Sequence, residues 1–93
     1  MKQFSFICIL MLAMATTADA ACYADYKAKK DNPLRLHYGV AEVNGTCSVS
    51  SAEDQLRRSL RSDGWQLLNV LGVFDDAGLR GRRAEAGEFY LRY

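Results

Sequence analysis

The sequence predicts one small domain of the α+β class: a three-stranded antiparallel sheet, in the chain order strand, helix, strand, strand, with one helix packed on one face. Three observations lead to this prediction. Residues 34–41 alternate leucine, tyrosine and valine with polar or small residues, which is typical of a strand with one apolar face. Leu56 and Leu60 are four residues apart and share one side of a helix. The mostly apolar run 65–74 comes directly after a glycine and predicts a further strand.

Local signals set the limits of the first strand. Residues 21–32 are polar, and Pro33 prevents a helix from continuing, so this segment is predicted to be a short lead-in held by a cysteine. Asn44 and Gly45 form a turn signal that ends the strand.

The helix and the last strand have signals of their own. Ser50 or Ser51 can cap the helix, because acidic residues follow three positions later. Gly64 is placed to end it in the left-handed conformation. Residues 75–86 form a polar, glycine-containing loop, and residues 88–93 alternate apolar and polar side chains, which predicts the last strand.

The strand at 65–74 is apolar on both faces, whereas a single helix covers only one face of a sheet. We therefore expect the amino-terminal segment, a partner subunit or a ligand to cover the second face, because large exposed apolar patches usually mark interaction surfaces. The side chains of this strand that form the candidate interaction surface are Trp65, Leu67, Leu71 and Val73.

Residues 1–20 carry the parts of an export signal. Lys2 supplies a positive start, residues 4–15 form a nearly unbroken apolar run, and the last three positions have the small-x-small pattern of a cleavage site. The apolar run is shorter than the ~20 residues that span a bilayer. We predict cleavage after Ala20, a periplasmic or secreted protein, and no membrane association of the mature domain, residues 21–93.

Cleavage leaves Cys22 and Cys47 as the two cysteines of a short chain in an oxidising compartment, where disulfides form and persist. We predict a disulfide between them, and closing a loop of about 26 residues contributes roughly 3.5 kcal/mol to stability. His37 is the only histidine, which is too few ligands for a metal site. No metal is therefore expected.

The charges nearly balance, with 12 basic and 11 acidic side chains and a formal net charge of +1. Such a balance predicts no general affinity for nucleic acid. His37 falls on the polar side of its predicted strand and is expected to be solvated. Because no spacing suggests a nucleophile, a base or a metal site, we predict a protein that is not an enzyme and uses no cofactor.

Two features are candidate binding elements. Trp65 is either a core anchor that packs over the helix end or a platform for an aromatic ligand. Three loop arginines form either an anion-binding tip or part of a solvated loop in which nearby acidic residues cancel their charge. These arginines are Arg80, Arg82 and Arg83.

The carboxy-terminal half has a family resemblance. The leucine-bearing helix, the sequence Gly64-Trp65-x-Leu67, the next strand and a terminal strand with Phe89 and Leu91 resemble the domain of unknown function 4177 family over residues 52–93. That family has no assigned activity, so the resemblance implies a fold. The order strand, helix, strand, strand is also similar to that of the dodecins, small flavin-binding shells with a functional tryptophan.

Two functions follow as hypotheses. The first is an exported, non-enzymatic interaction or accessory protein that contacts another protein, or its own copy, through the second sheet face or the rim around Trp65. The second is an oligomer of the dodecin type that binds a small aromatic molecule, which rests on the likeness in architecture.

Overall fold

The computed structural model describes residues 21–93, and the predicted export signal lies outside the described residues. Three antiparallel strands form one sheet in the spatial order β2-β1-β3, and a helix packs on one face. This confirms the predicted α+β class. The strands are β1 (Tyr23–Lys30), β2 (Arg35–Glu42) and β3 (Gln66–Phe74), and the helices are α1 (Val49–Arg61) and the one-turn α2 (Arg83–Ala86), with 3₁₀ turns at Asp76–Gly78 and Gly87–Phe89.

The chain order differs from the prediction, because it is strand, strand, helix, strand. The segment predicted to be a polar lead-in contains β1, the central strand. Ala24, Tyr26 and Ala28 alternate along β1 and are fully buried. Asp25 and Lys27 lie between these buried residues and make the segment polar on average. The period-two pattern of a strand is therefore weak in the sequence.

Residues 88–93, predicted to be the third strand, do not pair along the sheet. They begin within a 3₁₀ turn and then touch the outer edge of β2 by one bridge, in which the Leu91 N–H donates to the Val40 carbonyl over 2.8 Å. Leu91 has a φ of 56°, a left-handed value that interrupts any extended run. The prediction of a strand here is wrong for this reason.

The strand predicted at 34–41 forms as β2, but its faces are reversed. Leu34 and Leu36, expected in the core, are 64% and 67% exposed. The core side instead has Gly39 opposite Tyr26 of β1. A Cβ on Gly39 would lie 2.4 Å from the Tyr26 hydroxyl oxygen, so only glycine leaves room for the buried ring.

Helix α1 begins earlier than predicted. Its cap is Ser48, in place of Ser50 or Ser51, because Ser48 has an extended backbone and its hydroxyl accepts from the Ser51 N–H over 3.1 Å. The predicted apolar face is confirmed by the buried residues of the helix, Ala52, Leu56 and Leu60.

The end of α1 is as predicted. Gly64 has a left-handed φ of 81°, and the Trp65 N–H donates to the Leu60 carbonyl over 3.0 Å. The turn therefore places Trp65 against the helix end at the entrance to β3.

The predicted disulfide between Cys22 and Cys47 is confirmed, with an S–S distance of 2.12 Å and a Cα–Cα distance of 5.8 Å. Cys22 directly precedes β1, and Cys47 lies just before α1. The bridge thus ties the central strand to the start of the helix.

The chain after β3 covers part of the second sheet face. Arg82 donates to Asp25 of β1 over 3.2 Å, and Ala86 of α2 is 4% exposed. Val40 of β2, which lies opposite Asp25, is fully buried. Of the three covers expected for this face, the amino-terminal segment cannot serve, because it forms the central strand itself.

Candidate functional site

An aromatic cluster lies between the sheet and the carboxy-terminal residues. The His37 ring stacks on Phe89 with centroids 3.7 Å apart and stands edge-on to Trp65 at 4.3 Å. His37 is 8% exposed, so the prediction of a solvated histidine is wrong. The reversal of the β2 faces is the reason, because it turns every second residue from His37 onward towards the core. We call this group the His37 cluster; it contains Tyr26, His37, Trp65, Phe89 and Tyr93.

Burial lowers the pKa of His37 to about 4, with Glu88 opposing the shift and Arg92 and Lys30 adding to it. Its Nε2 atom lies 3.0 Å from the Tyr26 hydroxyl oxygen, and its buried Nδ1 atom has no hydrogen-bond partner among residues 21–93. The imidazole is therefore neutral near pH 7. Burial also raises the pKa of Tyr26, which keeps its hydroxyl protonated.

Acidification should destabilise the fold through this histidine. Because the pKa of His37 falls from 6.5 to about 4 on folding, the unfolded chain binds the proton more tightly. The free energy of unfolding should fall by about 3 kcal/mol as the pH drops from 7.5 to 4. Urea unfolding at pH 7.5, 5.5 and 4 checks this against His37→Phe, which keeps a stacking ring and cannot titrate. Parallel pH profiles for the two proteins would contradict the assignment.

Trp65 is 7% exposed and belongs to the hydrophobic core, in agreement with the anchor alternative. Two cationic side chains lie over its ring: the Lys30 Nζ at 4.7 Å and the Arg35 Cζ at 5.5 Å from the centroid. Nearby, the Tyr93 hydroxyl donates to the Asp63 carboxylate over 2.6 Å. Trp65 thus separates the apolar core from a charged rim.

The residues predicted as an interaction surface do not lie together. Trp65 is in the core, and Leu67 and Val73 pack half-buried against it. Leu71 is 48% exposed and lines a groove on the second face with Tyr38. Two irregularities in the register of β3 leave Leu68 and Leu71 without partners in β1, which explains the separation.

The three loop arginines do not converge either. Arg82 donates to Asp25 and to the Gly78 carbonyl, and its guanidinium lies 4.1 Å from the Phe74 ring centroid. Arg83 lies over Tyr90 at 5.7 Å. Arg80 is exposed. Arg82 therefore pins the loop to the sheet.

The uncovered part of the second sheet face carries exposed leucines. Leu36 and Leu68 line a groove of about 250 Å³ with Tyr38 and Lys27. Lys27 and Tyr38 also line the neighbouring groove of about 550 Å³, which contains Leu71. The two grooves are therefore adjacent, and we call the surface around them the leucine face; it consists of Lys27, Leu36, Tyr38, Leu68 and Leu71.

Sequence reasoning missed a second charged surface, the cleft beside Trp65. It brings together Lys30 from the end of β1, Arg35 from the start of β2 and Arg92 from the chain end. These positions are remote from one another along the chain and form no motif. Only the cross-strand pairing of Lys30 with Arg35, which required β1 to be recognised as a strand, could have indicated part of it.

No protein-family model, curated protein or solved structure matches the chain. The resemblances to the domain of unknown function 4177 family and to the dodecins stay predictions. Within residues 21–93, none of the helices is long and apolar enough to cross a membrane. Over the same range, histidine, cysteine and acidic side chains form no group of three or more that could hold a metal ion.

Proposed function

We propose that this protein is an exported, periplasmic, non-enzymatic interaction protein that binds an apolar segment of a partner protein on its leucine face. The observation that carries the proposal is the exposure of three leucines around two adjacent grooves. Leu36 is 67% exposed, and Leu68 and Leu71 are each 48% exposed. Contiguous apolar surface of this kind on a small domain usually marks a site of association.

The contrast within the second sheet face supports this assignment. At one end, α2 and the Arg82–Asp25 ion pair cover the sheet and leave Val40 fully buried. At the other end, residues 21–93 leave Leu36 and Leu68 exposed. The same sheet face thus has an internal cover over one part and an open apolar part beside it.

Charge indicates the chemistry of the partner. Among residues 21–93, Lys27 has no carboxylate within 4.0 Å, and Asp25, which lines the same groove, is paired with Arg82. A partner segment that places an Asp or Glu against Lys27 and apolar side chains against the leucines complements this surface. A second copy docked face to face about a two-fold axis would bring the two Lys27 side chains towards each other.

Two further observations are consistent with the non-enzymatic, exported part of the proposal. His37 is enclosed by aromatic rings, so it is poorly placed for proton transfer to a substrate in solution. The Cys22–Cys47 bridge is of the kind that persists in oxidising compartments.

Site-specific photo-crosslinking in the periplasm tests the proposal. A photoreactive residue at position 36 or 68 should give the same protein adduct, and one at Arg58, exposed on α1, should not. Lys27→Glu should lower the adduct yield about tenfold, whereas Arg58→Glu should leave it unchanged. The crosslinked peptide should contain apolar residues and a carboxylate, and the recovered protein should have the mass of a chain that begins at Ala21.

The other outcomes are distinct. An adduct of the protein with itself would replace the partner with self-association, which sedimentation of the purified protein would then show. An adduct that forms equally from position 58, or that ignores Lys27→Glu, would overturn the leucine face as the binding surface.

A further inference from the structure

We propose that the cleft beside Trp65 binds a small, multiply charged oxyanion, such as a phosphate ester or a polycarboxylate. This cleft of about 370 Å³ shares no lining residue with the leucine face, and the two proposals are independent. We call it the Trp65 cleft; its lining residues used here are Lys30, Arg35, Asp63, Glu88, Arg92 and Tyr93.

Three cations converge on the Trp65 cleft without ion-pair partners. Over residues 21–93, neither Lys30 nor Arg35 nor Arg92 has a carboxylate within 4.0 Å. Aromatic rings hold them in place: Lys30 and Arg35 lie over Trp65, and Arg92 lies 5.8 Å from Phe89. Their N–H donors therefore remain available to an anion, and guanidinium groups match carboxylate and phosphate geometry.

The carboxylates of the cleft are fewer and partly engaged. Asp63 accepts a hydrogen bond from the Tyr93 hydroxyl over 2.6 Å, and Glu88 is the second carboxylate, so two carboxylates face three cations. An adjoining groove of about 340 Å³ on the other side of Trp65 is lined by Arg57 and Arg61. Arg57 is paired with Asp54 at 3.5 Å, whereas Arg61 has no carboxylate within 4.0 Å among residues 21–93 and adds to the positive potential around the tryptophan.

The geometry also excludes a flat ligand stacked on the tryptophan. Trp65 is 7% exposed, with His37 edge-on at 4.3 Å and the Lys30 ammonium over the ring. A flavin-like ring would have to displace these groups from the core. A compact anion only has to reach the cationic heads at the rim, so the charged groups of the ligand determine binding.

Trp65 is the only tryptophan and borders both this cleft and the groove of Arg57 and Arg61, so its fluorescence reports on anion binding at either place and the variants below distinguish them. The purified, disulfide-bonded protein is titrated with pyrophosphate and with citrate at constant ionic strength, with sodium chloride as the reference. We expect a saturable change in Trp65 emission with at least one of the two anions, and the stronger response distinguishes phosphate from carboxylate ligands.

Charge-removing variants locate the effect. Arg35→Gln and Arg92→Gln, both at exposed positions, should each weaken binding about tenfold, whereas Arg80→Gln, an exposed cation in the loop after β3, should not. A response that is the same with chloride, or that is absent with both anions, would overturn the proposal. Equal weakening by Arg80→Gln would reduce it to a general charge effect and overturn it as well. Loss of leucine-face crosslinking would leave these results unchanged.

Discussion

Replacing Cys22 and Cys47 with alanine should lower the free energy of unfolding by about 3.5 kcal/mol, because the bridge closes a loop of about 25 residues in the unfolded chain. A small domain has only a few kcal/mol of net stability. We therefore expect the double variant to be largely unfolded at 37 °C. Urea unfolding of the oxidised protein and of the variant, followed by circular dichroism, measures the difference.

The reduced wild-type protein is the matched control. It should unfold at nearly the same urea concentration as the double variant, because both lack the same covalent constraint. If Cys22→Ala alone were far more damaging than Cys47→Ala alone, the buried position of Cys22, which is 7% exposed, would be responsible. In that case the constraint of the unfolded chain would not explain the loss.

Gly39→Ala should destabilise the protein by about 3 kcal/mol. The new Cβ would lie 2.4 Å from the Tyr26 hydroxyl oxygen and 2.5 Å from the ring carbon that carries it. Tyr26 is fully buried and hydrogen-bonded to His37, so its ring cannot move away from the new Cβ without disturbing the core. Thermal or urea unfolding of the variant checks the size of the loss.

Gly72→Ala is the matched substitution in the sheet. A Cβ at Gly72 of β3 meets no heavy atom within 4 Å, so stability should change little or rise slightly. Equal losses in the two variants would mean that glycine is needed in these strands for backbone reasons. The contact with Tyr26 would then not be the cause.

The features predicted correctly are those with local signals. Leu56 and Leu60 define the helix face by their spacing, and Gly64 ends the helix through its own backbone freedom. Cys22 and Cys47 are the only two cysteines of residues 21–93, so their pairing needed no knowledge of the fold.

The errors arise where a remote contact decides the outcome. Leu34 and Leu36 have the alternation of a core face. The buried Tyr26 ring, however, packs against Gly39, so the face that contains Gly39 points to the core and the two leucines point outwards. Nothing near position 39 reveals this, because Tyr26 is 13 residues away and belongs to a strand that was not recognised. The recognition of β1 would have corrected the faces of β2 and the chain order together.

The candidate surfaces were also predictable only in part, because they too depend on contacts between residues that are remote in the sequence. The apolarity of β3 on both faces predicted apolar side chains on the second sheet face, and Leu71 lies exposed there. Leu36 was missed because it was assigned to the core. Lys30, Arg35 and Arg92 meet only through the folded topology, so their convergence has no counterpart in the order of residues along the chain.

The backbone of the two edge strands, β2 and β3, limits how another chain can add to the sheet. Along β2, the Leu91 N–H already donates a hydrogen bond to the Val40 carbonyl. Along β3, the register irregularities at Leu68 and Leu71 break the even spacing of the backbone hydrogen-bonding groups. An added strand needs a regular row of such groups, so extension of the sheet by a neighbouring chain is disfavoured at both margins. Partner binding on the leucine face, as proposed above, would therefore depend on side-chain shape and charge, and a single substitution there should change which partner is accepted.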